Sequence, residues 1–125
     1  QAQFSPIFGL YSAPDAGVRA RLEALAAAPP VAVARDHEGV EHRLWAVTDP
    51  AVLAWAAGVF AGRQVFIADG HHRYETAIRF QQHCRAQHPD APESWFDFVM
   101  TFLVEMDDPG LVLLPTHRLM HGPLP

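Results

Sequence analysis

The sequence of 125 residues contains no lysine, because all nine of its basic residues are arginine. The absence of lysine excludes a phosphate-binding loop built on lysine, a Schiff-base lysine and every mechanism with a lysine nucleophile. The chain also has a single cysteine, Cys84, which cannot form an intrachain disulfide. Nothing in the sequence therefore points to an oxidising compartment.

Positive charge and long apolar runs are scarce as well. With histidine neutral the formal net charge is −5, whereas affinity for a nucleic-acid backbone needs a basic footprint. The longest apolar stretch, residues 52–62, is far shorter than the ~20 residues that cross a bilayer. No basic residue precedes Arg19, so no signal-peptide n-region is found. We therefore expect a cytoplasmic protein that binds neither nucleic acid nor membrane.

The composition is that of an ordinary globular protein, 50% apolar and 18% charged, and the length is typical of one domain. The chain begins with Gln1 and ends in Gly-Pro-Leu-Pro. From this we expect residues 1–125 to be one domain cut from the middle of a longer protein, whose remainder would be a partner. A homodimer is also expected, because a truncated sheet exposes apolar surface and edges.

Hydrophobic spacing predicts an α+β fold with three helices and a mixed sheet of about five strands. Continuous apolar residues at 65–68 predict a central strand buried on both faces, whereas Pro6 predicts that the strand at 4–11 lies at an edge or has a bulge. The helix at 50–61 is apolar all round, follows the N-cap Asp49 and is expected to be buried. The other predicted helices are 13–28 and about 71–87, and the other predicted strands are 31–36 and 40–47 as a hairpin, 96–106, and 111–114 pairing back after a turn at 107–110.

One segment, residues 67–77, contains a concentration of residues suited to binding or catalysis that no other part of the sequence matches. A strand ends there in Asp69 and Gly70, and a helix begins with two histidines and Arg73. The first N–H groups of a helix have no internal partner and carry about half a positive charge, so a helix start attracts anions. The Arg73 guanidinium matches a phosphate bidentately, and histidine can donate to phosphate oxygens or exchange a proton with a hydroxyl. We therefore predict a phosphate-binding loop at this strand-to-helix junction.

The acidic residues of this segment are candidates for the reaction itself. Asp69 and Glu75, together with His72, are the candidate catalytic residues, since a carboxylate can accept the proton of a hydroxyl or hold Mg²⁺. Glu75 follows His71 by four residues, so the two are expected on one helix face. The structural alternative for Asp69 is that it only caps the helix.

A second patch, Pro115–Arg118, repeats the combination of a hydroxyl, an imidazole and a guanidinium. If the predicted strand at 111–114 neighbours the one at 65–68, the two patches converge on one cleft; alternatively, this is an ordinary exit segment of the chain. The candidate phosphate- and nucleotide-binding residues are thus Gly70, His71, His72, Arg73, Thr116, His117 and Arg118.

Aromatic residues outside these patches are interpreted as packing residues. Phe96, Phe98 and Phe102 alternate along a predicted strand, which is typical of a packed strand face rather than a stacking platform. Tyr74 is expected in the core rather than stacked on a ligand, and Trp95 is expected in the core or at its edge.

The motif ADGHHRYETA at 68–77, with SPIFGLY before it and FDFVMTFLVEMDDPGLVLLPTHRL after it, resembles the bacterial proteins known as domain of unknown function 1015. The resemblance covers essentially the whole chain and matches the middle of those proteins. It implies a family but no established activity.

More distantly, Gly-His-His-Arg at 70–73 is similar to the phosphate loop of the ParB/sulfiredoxin superfamily, which implies a loop that binds nucleotide phosphates. Sulfiredoxins need a cysteine where this chain has His71, and Cys84 lies deep in the following helix, so sulfinic acid reduction is excluded. ParB proteins carry a Glu-Arg-Arg type of loop and basic DNA-binding parts, and this sequence has neither. The free-serine kinases begin the loop with Asp-Gly-His, as residues 69–71 do, and are the nearest functional analogy.

Three functions fit these residues. The first is a nucleotide-dependent phosphotransferase acting on a small hydroxyl substrate, with Mg²⁺ brought by the nucleotide and held by Asp69 or Glu75. The second is a module that senses a nucleotide or phosphorylated metabolite without chemistry. The third is a metal-dependent hydrolase, which ranks last because adjacent helical histidines diverge by about 100° and no HExxH spacing is present. Its ligands would come from Asp69, His71, His72, Glu75 and His117, and no structural metal is expected.

Overall fold

The computed structural model describes residues 4–13, 17–112 and 114, which form an α+β fold. The described elements, in chain order, are β1 (Ile7–Tyr11), α1 (Gly17–Ala26), β2 (Ala32–Arg35), β3 (Glu41–Leu44), α2 (Pro50–Phe60), β4 (Val65–Asp69), α3 (His71–Gln87), a short 3-10 helix (Trp95–Asp97) and β5 (Thr101–Glu105). The class, the three helices and the hairpin of β2 and β3 are confirmed, although α1 ends at Ala26, two residues before its predicted end. The single sheet of about five strands is wrong, because the described strands divide into a three-stranded sheet, in the order β4-β1-β5, and the separate two-stranded hairpin.

Strand β1 occupies the centre of the three-stranded sheet, antiparallel to β4 and parallel to β5. The predicted edge position is therefore wrong, whereas the predicted bulge is confirmed by a register shift between Phe8 and Gly9 in the pairing with β4. Pro6 lies just before the strand, so its missing N–H removes no bond from the ladder. The ladder begins one residue later, where the Ile7 N–H donates to the Met100 carbonyl over 2.9 Å.

Gly9 allows the three strands to pack closely because it has no side chain. A Cβ at this position would lie 2.8 Å from Val65 Cγ1 and 2.9 Å from Leu103 Cδ2. Side chains from both neighbouring strands therefore pack over Gly9, each in close contact with β1. This contact fixes β4 against β1, and with it the start of the loop that follows β4.

Strand β4 lies at an edge of the described sheet and not at its centre. Phe66 is 52% exposed and Val65 40% exposed, so the prediction of a strand buried on both faces is wrong. A short apolar run has the same pattern in a central strand as in an edge strand whose outer surface is uncovered.

The chain after α3 differs most from its predicted elements. The predicted strand at 96–106 begins only at Thr101, because the preceding residues coil into the 3-10 helix, whose Asp97 carboxylate accepts the N–H of Ser94 over 2.8 Å. The turn at 107–110 is confirmed. The described residues of 111–114 adopt no strand, and residue 113 lies outside the described part of the chain.

Helix α2 starts as predicted. The Asp49 carboxylate accepts the N–H groups of Ala51 at 2.7 Å and Val52 at 3.2 Å, and proline occupies the first turn. Its expected burial on all sides is wrong, since Leu53 is half exposed. Only one face is covered, and it carries Trp55, Val59 and Phe60.

The described core is small and lies where β1, α1 and α2 meet. Tyr11, Ala13 and Val18 are buried together. The Phe60 ring meets the Tyr11 ring edge to face, with 5.0 Å between centroids. Among the described residues, no helix is both long and apolar enough to cross a membrane.

Candidate functional site

The junction of β4 and α3 is a sharp turn at Gly70. Asp69 is the last residue of the strand, His71 is the first of the helix, and Gly70 between them has a φ of 93°. This left-handed conformation favours glycine, because other residues bring Cβ too close to the backbone. The Gly70 carbonyl accepts the N–H of Tyr74 over 3.0 Å, so the helix is hydrogen-bonded from its first turn. The predicted strand, turn and helix are therefore present at the expected residues.

The Arg73 side chain folds back over this turn. Its Nη2 lies 2.5 Å from Asp69 Oδ2, and a Cβ on Gly70 would meet Nε and Nη2 of Arg73 at 2.8 Å. Asp69 therefore pairs with Arg73, and the residue in the N-cap position is Gly70, which has no side chain to cap the helix. The guanidinium thus lies at the helix start, where the prediction placed a phosphate, and is already paired with a carboxylate.

The imidazole and carboxylate of the first turn of α3 face solvent. The His72 side chain is fully exposed, and its Nδ1 lies 3.8 Å from Glu75 Oε2. The contact of Glu75 is therefore with the histidine three residues before it, one position from the expected His71. The His72 carbonyl accepts the hydroxyl of Thr76 over 2.7 Å. These side chains can exchange protons with a ligand without first being uncovered.

A groove of about 810 Å³ begins beside this turn and follows α3. Its first part is lined by His72, Arg73 and Thr76, and it continues along aromatic side chains of α3 and of the segment at 95–98. The interpretation of Phe96 and Phe98 as a packed strand face is wrong, since they line the groove and 96–98 is not strand. Tyr74, expected in the core, is 42% exposed. The groove could not be predicted from the sequence, because it forms only where the segment at 95–98 coils back beside α3.

The wall of the groove is fastened to α3 through Asp97. Its carboxylate accepts from Gln81 Nε2 at 2.9 Å, from the Ser94 N–H at 2.8 Å and from Arg85 Nη2 at 2.5 Å. The hydrogen bond from Gln81, followed by that from Ser94 and the contact with Arg85, lowers the pKa of the Asp97 carboxyl. Arg85 also donates to the Ala91 carbonyl over 2.5 Å. This network holds the segment at 91–97 against the helix.

The second predicted patch, with Thr116, His117 and Arg118, lies outside the described residues. Its convergence with the first patch required a strand at 111–114 next to β4, and the described residues of that stretch adopt no strand. The described neighbour of β4 is β1. The roles of the three residues stay predictions.

Groups able to hold a metal ion were sought among histidine, cysteine, aspartate and glutamate side chains. In the described ranges, no three of them come close enough together to do so. The hydrolase hypothesis, which needs such a set, therefore has no support from the residues around Gly70.

The comparisons with known proteins give one match. A family described as "Protein of unknown function (DUF1015)" matches residues 1–125. Neither the curated proteins nor the solved structures gave a match. The similarity of the loop to the ParB/sulfiredoxin superfamily stays a prediction. The family suggested by the motif around Gly70 is confirmed, and the chain belongs to the DUF1015 family.

Proposed function

We propose that this protein binds the phosphate groups of a nucleotide at the turn formed by residues 69–73 and transfers a phosphoryl group to a small hydroxyl substrate. The observation that supports this most is the position of the Arg73 guanidinium, which lies against Gly70 at the start of a 17-residue helix. The unpaired N–H groups of a helix start and an arginine beside them are the groups that bind phosphate in proteins.

The ion pair between Asp69 and Arg73 gives the proposal its chemistry. A phosphate that binds Arg73 replaces one anion by another, so the arginine keeps a negatively charged partner. Asp69 is released by this exchange and accepts the proton of the substrate hydroxyl as its oxygen attacks the phosphorus. The bond from phosphorus to the leaving nucleotide diphosphate oxygen breaks, and Arg73 and His72 stabilise the charge that develops on the transferred group.

Mg²⁺ enters the proposal with the nucleotide. This ion keeps several of its waters and needs only one or two carboxylates from the protein. Glu75 is the carboxylate that the first turn of α3 presents to solvent, at 59% exposure of its side chain. Glu75 or, after its release, Asp69 would hold the ion through water.

A thermal-shift panel with ATP, ADP, CTP, GTP and pyrophosphate, each with Mg²⁺, tests the binding step. A ligand at about one hundred times its Kd adds roughly 2.7 kcal/mol of stability, which is several degrees for a domain of this size. We expect a shift in the wild type and none in Arg73→Ala. Arg79→Ala, an exposed arginine further along α3, is the matched control and should keep the shift. Equal shifts in all three proteins would contradict a phosphate site at this turn.

The second candidate is a module that senses the same ligand without chemistry. The observation that favours it is the closed contact between Asp69 and Arg73, which engages the candidate base and the phosphate-binding group with each other. Asp69→Asn separates the two functions. In a phosphotransferase this variant binds nucleotide but forms no product with small alcohols and amino acids that bear a hydroxyl. In a sensor, wild type and variant both bind nucleotide and neither forms product.

A further inference from the structure

Aromatic side chains are prominent in the lining of the groove beside the proposed phosphate-binding turn. Its lining includes five aromatic side chains, Phe4, Phe80, Trp95, Phe96 and Phe98. Three of them protrude strongly, since Phe4 is 94% exposed, Trp95 is 66% exposed and Phe98 is 60% exposed. Large apolar side chains exposed around a concavity, rather than scattered singly, are typical of a binding surface.

Three of the five rings, those of Phe80, Trp95 and Phe96, contact one another. The centroids of Phe80 and Trp95 are 5.6 Å apart, and those of Trp95 and Phe96 are 5.9 Å apart. The Arg85 guanidinium lies 5.0 Å from the Phe96 centroid, so the network around Asp97 also holds this ring. This part of the surface is therefore held in place before a ligand arrives, which lowers the entropy lost on binding.

The cationic part of the groove and its aromatic part share one face of α3. Arg73, Thr76, Ala77 and Phe80 all line the groove, and their spacing of three, four and seven residues places them on one side of a helix. The face therefore runs from a guanidinium, through a hydroxyl and a methyl group, to an aromatic ring. A ligand that complements it has an anionic end and a flat apolar body.

We propose that the ligand of this site is an organic phosphate with a flat aromatic ring, and that the ring stacks in the groove on Trp95 and Phe98 while the phosphate binds at Arg73. This inference rests on the proposed phosphate site and adds the part of the ligand that is not phosphate. Stacking on an exposed aromatic side chain adds roughly tenfold or more to affinity. The volume of about 810 Å³ is within the range for a small organic molecule.

Isothermal titration with three probes tests the proposal on the purified protein. The probes are 2-naphthyl phosphate, methyl phosphate and 2-naphthol, which separate the ring from the phosphate. We expect 2-naphthyl phosphate to bind at least about tenfold more tightly than either of the others. The preference over methyl phosphate should be lost in Trp95→Ala and in Phe98→Ala, while the affinity for methyl phosphate stays the same.

Phe102→Ala is the matched control, because Phe102 is 55% exposed, similar to Phe98, and packs on Phe8 in the sheet outside the groove. This variant should keep the preference for 2-naphthyl phosphate over methyl phosphate. Circular dichroism should show the same helix content in every variant. Equal affinities for 2-naphthyl phosphate and methyl phosphate, both lost in Arg73→Ala, overturn the aromatic subsite but leave the proposed function standing. Binding of 2-naphthol that equals that of 2-naphthyl phosphate and survives Arg73→Ala overturns both. If none of the three probes binds while pyrophosphate still gives a thermal shift that Arg73→Ala abolishes, the aromatic subsite is overturned and the proposed function stands; if pyrophosphate gives no shift either, both are overturned.

Discussion

At the scale of single residues, the turn at Gly70 combines a conformation and a contact that depend on each other. The φ of 93° turns the chain from β4 into α3, and the missing side chain leaves the space that the Arg73 guanidinium occupies. The roles of the glycine and the arginine could be predicted from the sequence, because an anion site at a helix start needs a tight turn and a cationic side chain. It could not predict the pairing of Arg73 with Asp69, since that depends on the side-chain direction at the end of the strand.

Replacing Gly70 by alanine separates the two roles of this glycine. Gly62 provides the comparison, because it has a φ of 79° and a Cβ added there would meet no atom within 4 Å. Both Gly70→Ala and Gly62→Ala place an L-residue in the left-handed region and should lower the free energy of unfolding in urea by about 1–2 kcal/mol. Only Gly70→Ala should also weaken pyrophosphate binding, because its Cβ would displace the Arg73 guanidinium. Equal binding by the two variants would contradict the role of this turn in placing Arg73.

At the scale of elements, the helices are more predictable than the strands. The bounds of α2 and α3 follow from local signals, namely Asp49 with the proline after it and the glycine before His71. A strand is defined by its neighbours, and the apolar residues of β4 do not show on which side a neighbour lies. The aromatic residues at 96–98 mislead in a similar way, because their alternation along the chain is also the pattern of a strand face. Their place in the groove depends on the Asp97 network, whose partners are 3 to 16 residues away in the chain.

The attachment of the 91–97 segment to α3 should depend on pH. Hydrogen bonds from Gln81 and Ser94 and the contact with Arg85 lower the pKa of Asp97 in the folded protein, whereas the unfolded carboxyl has a pKa of about 3.9. Its contribution to stability is therefore fully present above the unfolded pKa and is lost as the pH falls through the folded pKa. Asp97→Asn should melt a few degrees below the wild type at neutral pH, and the difference should shrink under strongly acidic conditions. Asp90→Asn, at an exposed position just before this segment, is the control. A melting difference for Asp97→Asn that stays constant with pH would contradict this account.

At the scale of the whole molecule, the distribution of apolar residues departs furthest from what composition indicates. Half of the chain is apolar, yet the buried apolar side chains among the described residues are only Ile7, Tyr11, Ala13 and Val18. Composition states how much apolar surface a chain can bury, but what covers that surface depends on contacts that composition does not contain. The expected homodimer, and the expected contact with the rest of a longer protein, stay predictions for this reason.

Because the core is so small, the ionisation of one residue within it should affect the entire fold. Burial, followed by the negative charge of Glu105, raises the pKa of Tyr11 above its ordinary value of 10.0. The neutral phenol is thus favoured in the folded protein. Its contribution to stability is complete below the unfolded pKa and is lost as the pH rises through the folded pKa. In alkali the unfolded chain loses the Tyr11 proton at a lower pH than the folded protein does. The free energy of unfolding should therefore fall as the pH rises.

The chain has two tyrosines, so Tyr74→Phe leaves Tyr11 as the sole phenol, and its ionisation can be followed by its ultraviolet absorbance. We expect the midpoint to lie above the ordinary pKa of 10.0 and to coincide with the loss of the far-ultraviolet helix signal. Tyr11→Phe, which keeps the ring that packs on Phe60, should retain its helix signal at a pH where the wild type has lost it. A midpoint at or below the ordinary value, with the helix signal intact, would mean that water reaches this ring. The junction of β1, α1 and α2 would then not be the core on which the sheet and the site depend.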